Sequence, residues 1–290
     1  MIAIIGLLVV IGAIIGGYLM EHGILLLLFQ PAEFLIIAGA GLGVILISAP
    51  TNTIKLMIRQ LSGLTKSGPS TSDYMELMRI IQELLNLSRR EGLLALESHV
   101  EAPESSEIFK KYPSFHKRHH AVKFFCDTLR LILTGPQIQP HELEALIDMD
   151  LEIHHEEQMK PSQVIQTVGD SMPGFGIVAA VLGVVLTMQA ISGEIEVVGE
   201  KVGAALVGTF LGVLLCYGFF GPLAANLASK VEAEAQYYAA LKQVLLAIHN
   251  GSSSAVALEF ARRTIGNDIR PGFSDIADAA AAASGGGDKR

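Results

Sequence analysis

Residues 172–192 read MPGFGIVAAVLGVVLTMQAIS, and residues 202–228 read VGAALVGTFLGVLLCYGFFGPLAANLA. Neither stretch contains an acidic residue, a basic residue or a histidine. An α-helix crosses the hydrocarbon core of a bilayer with about 20 mostly apolar residues, so each is long enough to span. Backbone in lipid must satisfy its own hydrogen bonds, and helices do so within one segment. Two more runs of this kind lie near the start of the chain, from Ile2 to Met20 and from Phe34 to Met57, with Lys55 at the very end of the second. The first has no basic lead-in and no small-x-small cleavage site before Glu21-His22, so it reads as a retained helix rather than a signal peptide. The expected fold is all-α: a polytopic membrane protein with four transmembrane helices and a helical cytoplasmic domain.

Composition points the same way. The chain has 290 residues, half of them hydrophobic and only 17% charged, with a mean hydropathy of +0.45, too apolar for an ordinary soluble domain. From Met1 to Ile54 the only acidic or basic residues are Glu21 and Glu33; most others fall between Lys55 and Asp170 or after Ser229. Four spans put both termini and the long middle segment on one side. Of 21 Lys and Arg residues, only Lys201 falls in a loop on the other side, while Lys55, Arg59 and Lys230 flank span ends on the first. By the positive-inside rule that side is the cytoplasm. The short outer loops run from Glu21 to Glu33 and from Gly193 to Lys201. The expected organisation is helices one and two in 1–57, a cytoplasmic helical domain in 58–171, helices three and four in 172–228, a helical cytoplasmic extension in 229–273, and a disordered tail in 274–290. The formal charge of -8 argues against nucleic acid as a partner. Cys126 and Cys216, one in the charged block and one in an apolar run, point to neither a disulfide nor a metal site.

The middle block reads as amphipathic helices. One starts near Ser72-Asp73-Tyr74-Met75-Glu76 and continues through Leu77, Ile80, Ile81, Leu84 and Leu85 at helical spacing. Glu91-Gly92 marks a break, followed by a short helix from Leu93 to His99. Two further helices, Val122 to Leu133 and Glu142 to His155, are separated by Gly135-Pro136 and Pro140. The fourth span is expected to continue as helix from Lys230 to Ile248. Enzymatic patterns are weak. His119-His120 and His154-His155-Glu156-Glu157 lack the three- or four-residue spacing that puts metal ligands on one helix face, and read as solvated polar faces. Ser252-Ser253-Ser254 has no adjacent base and reads as a loop, and no phosphate-cradling Gly-Lys-Ser/Thr loop is present. No catalytic residue, metal or cofactor is expected.

Within the spans, Ala204, Gly208 and Gly212 recur at four-residue intervals, as do Gly12 and Gly16, and Ala179 and Gly183. Small residues at this spacing let helix backbones approach closely in lipid. Pro173 is expected at the start of the third span, in the first turn behind an Asp170 or Ser171 cap. Pro222, near the cytoplasmic end of the fourth, removes the bond its amide would give Gly218 and favours a kink. Two prolines at one level point to a hinge. No span as drawn holds a carboxylate or imidazole, and proton movement through a membrane needs an ionisable group inside it. The titrating group is therefore expected from a partner.

Several segments resemble the MotA family of flagellar stator subunits: Gly16-Gly17-Tyr18-Leu19-Met20, Gln30-Pro31-Ala32-Glu33, Ile36-Ile37-Ala38-Gly39-Ala40-Gly41, Glu104-Ser105-Ser106-Glu107-Ile108-Phe109, the run Val168 to Ala180, Val207-Gly208-Thr209-Phe210-Leu211-Gly212, Tyr217-Gly218-Phe219, and Pro222-Leu223-Ala224. The likeness covers Met1 to about Phe273 in order. It implies a subunit of the bacterial inner membrane, in which five copies surround two single-span MotB chains that each carry the proton-binding Asp. Ion flow then turns the ring and pushes on the rotor switch protein FliG. By position in the matched motifs, Arg89 (with Arg90 beside it) and Glu97 correspond to the rotor-contacting charges, and Pro173 and Pro222 to the coupling prolines. Sodium-driven relatives have Thr where this chain has Ala180, leaving Thr209 as the nearby hydroxyl, so the resemblance implies a proton as the transported ion.

Two alternatives stand beside this reading. ExbB/TolQ-type energisers of outer-membrane processes have three spans and an external N-terminus, which the fourth apolar block and the charge placement disfavour. A small-solute secondary transporter would show inverted repeats and broken-helix sites mid-membrane, and neither is visible.

Overall fold

The computed structural model describes residues 2–64, 68–134, 138–189 and 195–276, and every regular element among them is a helix. In chain order these are α1 (Ile2–Met20), a 3-10 turn (Leu25–Leu28), α2 (Pro31–Ser48), α3 (Thr51–Ser62), α4 (Thr71–Glu91), a 3-10 turn (Leu93–Leu96), α5 (Glu97–Glu101), α6 (Glu107–Lys110), α7 (Pro113–His116), α8 (His119–Thr134), α9 (Pro140–Met188), α10 (Ile195–Leu214), a π-helical segment (Leu215–Phe220), α11 (Gly221–His249) and α12 (Ser254–Arg263). The expected break at Gly135-Pro136, the end of the third span with the start of its outer loop, and the tail from 277 onward lie outside the described residues.

The chain forms two compact units. The first comprises Met1–Lys66 and Glu156–Lys230, the second Ser67–His155 and Val231–Arg290. In the first, three helical stretches are long and apolar enough to cross a membrane: Leu25–Ser48 and segments of Pro140–Met188 and Lys201–His249. The 19-residue α1 supplies a fourth apolar helix. It exposes Ile4, Ile5, Leu8 and Val9, because a helix that is apolar all round has no polar face to turn outward and is solvated by lipid. The chain is thus a helical membrane protein. The buried part of this unit is small: Ile37, Val168, Met172, Ala179, Val207 and Leu211 form one cluster, and Met57, Ile165, Ala224 and Leu227 belong to another.

Three spans differ from the sequence reading. The second begins at Pro31 rather than Phe34 and stops at Ser48 rather than Met57. Pro50 forces the residue before it out of helical geometry, and Ala49 is extended (φ -119°, ψ 128°). Pro50 then leads into α3, an amphipathic helix that buries Thr53 and Met57. The third span does not start at Met172. α9 runs unbroken for 49 residues, so Pro161 and Pro173 are both interior. The expected cap is absent because Ser171 donates its hydroxyl back to the Thr167 carbonyl (2.8 Å) and Asp170 accepts from Gln166 (2.8 Å), both bonds of a continuing helix. The fourth span is divided by the π segment into α10 and α11, and α11 continues to His249, as the pattern from Lys230 to Ile248 predicts.

The second unit has an ordinary aqueous-protein core. α4 starts with a reciprocal capping box: Ser70 accepts from the Asp73 amide (3.3 Å) while Asp73 accepts from the Ser70 amide (2.8 Å). Its apolar stripe of Tyr74, Leu77, Met78, Ile81 and Leu85 is buried. The ring of Phe115 meets those of Phe109 and Phe125 edge-on, with centroids 5.7 and 6.1 Å apart. Tyr74 and Tyr237 pack at 5.5 Å, and the Arg118 guanidinium lies 4.8 Å from the Tyr237 centroid. α4 ends at Gly92, whose φ of +87° is a backbone state that favours glycine.

Candidate functional site

In the first unit, α9 and α10 meet at backbone contact. A Cβ added to Gly176 would stand 2.6 Å from the Gly208 carbonyl oxygen, and one on Gly212 would stand 2.5 Å from the Met172 carbonyl oxygen. One on Gly183 would stand 2.7 Å from the Ala205 Cβ. Only hydrogen fits at these positions, and the close approach maximises dispersion contact where lipid offers no hydrophobic drive. The residues at the seam are Gly176, Ala179 and Gly183 on one side, and Ala205, Gly208 and Gly212 on the other. Ala204, half-buried, lies beside it. Ala180 and Thr209 are also half-buried, each next in sequence to a seam residue, and the Thr209 Cα lies 3.3 Å from the Cβ that Gly176 lacks.

Glu33 corrects the expectation that no span holds a carboxylate. The sequence reading left it in the outer loop; instead it occupies the first turn of α2 and is only 6% exposed. Its Oε2 lies 2.5 Å from where a Gly208 Cβ would be, and its Oε1 lies 3.5 Å from the corresponding point on Gly183. The side chain thus enters the seam where two glycines leave room. Oε2 is buried with no hydrogen-bond partner. One turn along from Gly183, the buried Thr187 donates to the Gly183 carbonyl (2.8 Å). The available signal was Pro31: proline is favoured at the first helical position, which places the helix start before Glu33.

Pro222 stands exposed at the second position of α11, directly after the π segment. The Gly221 amide donates to the Cys216 carbonyl, the five-residue reach of a π turn. The π turn places one residue of extra backbone directly before a proline that cannot donate to the preceding turn. An apolar cavity of about 820 Å³ adjoins this segment, lined by Leu7, Val10, Met57, Ile165, Phe220 and Pro222 among others. Around it, the buried Ser162 hydroxyl donates to the Ala224 carbonyl (2.9 Å), and Lys230 donates to the Leu64 carbonyl (2.5 Å).

In the second unit, Arg89 and Arg90 end α4 and Glu97 begins α5, with the Gly92 turn between them. All three are exposed and make no ion pair among the described residues. Leu93 and Leu94 on the intervening turn are exposed too, while Leu96 is buried and anchors it. Some other cations of this unit are engaged, Arg130 with Glu101 and Asp127, and Lys242 with Glu144 and Asp148. The histidines expected on solvated faces are partly packed. His120 stacks on His154 (3.9 Å), and its Nδ1 lies 3.0 Å from the Tyr238 hydroxyl. Among the described residues no three His, Cys, Asp or Glu side chains group as metal ligands.

Matches to known protein families reach into both units. Residues 4–92 match the model described as motility protein A N-terminal, and residues 116–240 that of the MotA/TolQ/ExbB proton channel family. The chain is 39% identical over 277 residues to motility protein A of Escherichia coli, covering 95% of this chain and 94% of that one. It is likewise 39% identical over 274 residues to chemotaxis protein LafT of Vibrio parahaemolyticus, covering 94% and 95%. The fold is shared with the solved MotAB structure of C. jejuni (TM-score 0.74, 19% identity, 92% of this chain and 96% of that one). It is shared also with the MotAB stator complex of Bacillus subtilis (TM-score 0.71, 22% identity, 88% and 92%).

Proposed function

We propose, from the premise that this chain belongs to the motility protein A group of the MotA/TolQ/ExbB proton channel family, that it is the ring-forming stator subunit of a bacterial flagellar motor. The observation that carries this is the length of the likeness: it runs through both the membrane helices and the helical unit with its exposed Arg89 and Glu97. An ExbB/TolQ-type energiser is disfavoured by the match to the motility protein A N-terminal model.

In this reading the subunit sits in the inner membrane with both termini and the large middle segment cytoplasmic, five copies around two MotB-type chains. The partner's Asp binds the transported proton, and proton passage turns the ring. Ala180 and Thr209 border the path. Ala180 offers no oxygen to replace a sodium hydration shell, whereas a proton needs only a carboxylate and water. Pro173 and Pro222 act as the coupling hinge, with the π segment as the compliant part of the fourth helix. Gly208 and Gly212, with Ala205 rather than its neighbour Ala204, keep the third and fourth helices together. Arg89, Arg90 and Glu97 push on FliG: unpaired charges at a wet surface suit register and steering more than tight binding.

Deleting the gene should leave flagella assembled but paralysed; normal swimming would refute the proposal. Arg89→Glu and Glu97→Lys should each impair swimming while the protein stays folded, since exposed positions change stability by only about 0.5 kcal/mol. Compensating charge reversals on the rotor protein should restore motion.

A further inference from the structure

We infer that Glu33 is a proton-binding acid of this subunit itself: as the neutral acid it fills the notch between Gly183 and Gly208, and losing its proton loosens the α9–α10 seam at that level. The geometry rests on three features. Glu33 is 94% withdrawn from solvent, being 6% exposed, and its Oε2 has no partner. The carboxyl lies where Gly183 and Gly208 lack side chains, with Oε1 3.5 Å and Oε2 2.5 Å from the points their respective Cβ atoms would occupy. Gly208 is necessary to this pose, because a Cβ there would fall 2.5 Å from Oε2, whereas Gly183 is required by the Ala205 Cβ, 2.7 Å from where its own would be.

Among the described residues, no charge lies on the neighbouring helices close enough to balance an ionised carboxylate. Glu33 is the only charged residue of α2, and the 3-10 turn Leu25–Leu28 has none. On α9 the neighbouring polar group is the Thr187 hydroxyl, already donated to Gly183, and the nearest charged residue along the helix is Asp170. On α10 the nearest charge along the helix among described side chains is the exposed Lys201, nearly two turns from Gly208. Glu21 and His22 lie in the exposed connection after α1. The first-turn position supplies a partial positive field from the end of α2, which is weaker than the cost of holding a bare charge in a dry seam. The low-energy states are then two: a neutral acid in the notch, or a carboxylate that has released its proton to water and moved out to be hydrated. The second leaves an unfilled gap between Gly183 and Gly208, and helices held by close contact lose attraction as soon as they part. Protonation at this site is thereby coupled to how tightly the third and fourth helices close. The inference rests on the seam geometry and not on the stator reading, so a failed gene-deletion test would leave it standing.

The test uses the full chain co-expressed with its single-span partner and reconstituted in lipid. Infrared difference spectra of wild type and Glu33→Gln, taken from neutral to alkaline pH, report the carboxylic acid C=O stretch. A band present at neutral pH in the wild type, lost on titration and missing in the variant, is expected. Carbon-13 labelling of glutamate should shift that band and separates it from any partner aspartate; Glu33→Asp, which keeps an acid but should remove the labelled glutamate band, takes the place of Glu33→Gln if that variant fails to fold. In a Thr187→Cys background, the thiol labelling rate relative to the same background with Glu33→Gln should rise several-fold as the band disappears. Absence of a glutamic acid band at neutral pH would overturn proton binding. A labelling ratio that stays flat through the titration would overturn the coupling to the seam.

Discussion

Replacing Gly212 by alanine tests whether the third and fourth membrane helices are held by backbone contact. The new Cβ would lie 2.5 Å from the Met172 carbonyl oxygen, 3.0 Å from the Gly176 Cα and 3.2 Å from the Gly176 nitrogen. All three are backbone atoms, so no side chain can swing aside. The carbonyl must retreat by about 0.9 Å before the contact is ordinary, and gaps of roughly 0.5–1 Å forfeit a quarter to a half of each dispersion well along the rest of the seam. Overpacking of this kind costs about 1–3 kcal/mol. That is a fall of roughly 2–12 °C in the unfolding midpoint for a domain of this size. Gly203 is the control: an added Cβ there meets nothing within 4 Å, so Gly203→Ala should be neutral or gain up to about 1 kcal/mol from helix propensity. The buried Cys216, in the π segment of the same unit, makes a built-in reporter. Thermal unfolding of the full chain can be followed with a thiol-reactive dye in a Cys126→Ala background. Equal midpoints for Gly212→Ala and Gly203→Ala would refute the reasoning.

Two further outcomes concern the helical unit. Phe115→Ala removes a 1%-exposed ring that touches two others, and should cost about 3–5 kcal/mol in chemical denaturation. A loss below about 1 kcal/mol would mean the aromatic cluster is not a core. Glu259 accepts from Arg262 and Arg263, and these hydrogen bonds hold its carboxyl at about 2, below the ordinary 4.5. A depressed carboxyl stabilises the fold above its unfolded value, and that contribution fades as pH falls through about 2. Glu259→Gln should therefore melt earlier than wild type at neutral pH, with the difference vanishing in strong acid; a pH-independent difference by circular dichroism would contradict the assignment.

Residue order along the chain was enough to identify the membrane helices, because lipid solvates an apolar run wherever it lies and demands only length and self-satisfied backbone. The same holds for the break at Gly92, where left-handed backbone needs glycine, and for the buried stripe of α4, where helical spacing sets which side chains share a face. The family resemblance was legible because its motifs are spread over nearly the whole chain. Other features depended on contacts between distant residues. A proline preceded by residues that keep helical bonds sits inside a helix, which is why Pro173 is interior to α9 and not at its start. The π turn before Pro222 needed the actual backbone register, since several helical pitches suit the same apolar sequence. Glu33 depended most on tertiary structure. Hydropathy counts it as a polar residue at a loop's edge, and only the meeting of Gly183 and Gly208 with the first turn of α2 turns that edge into a buried notch.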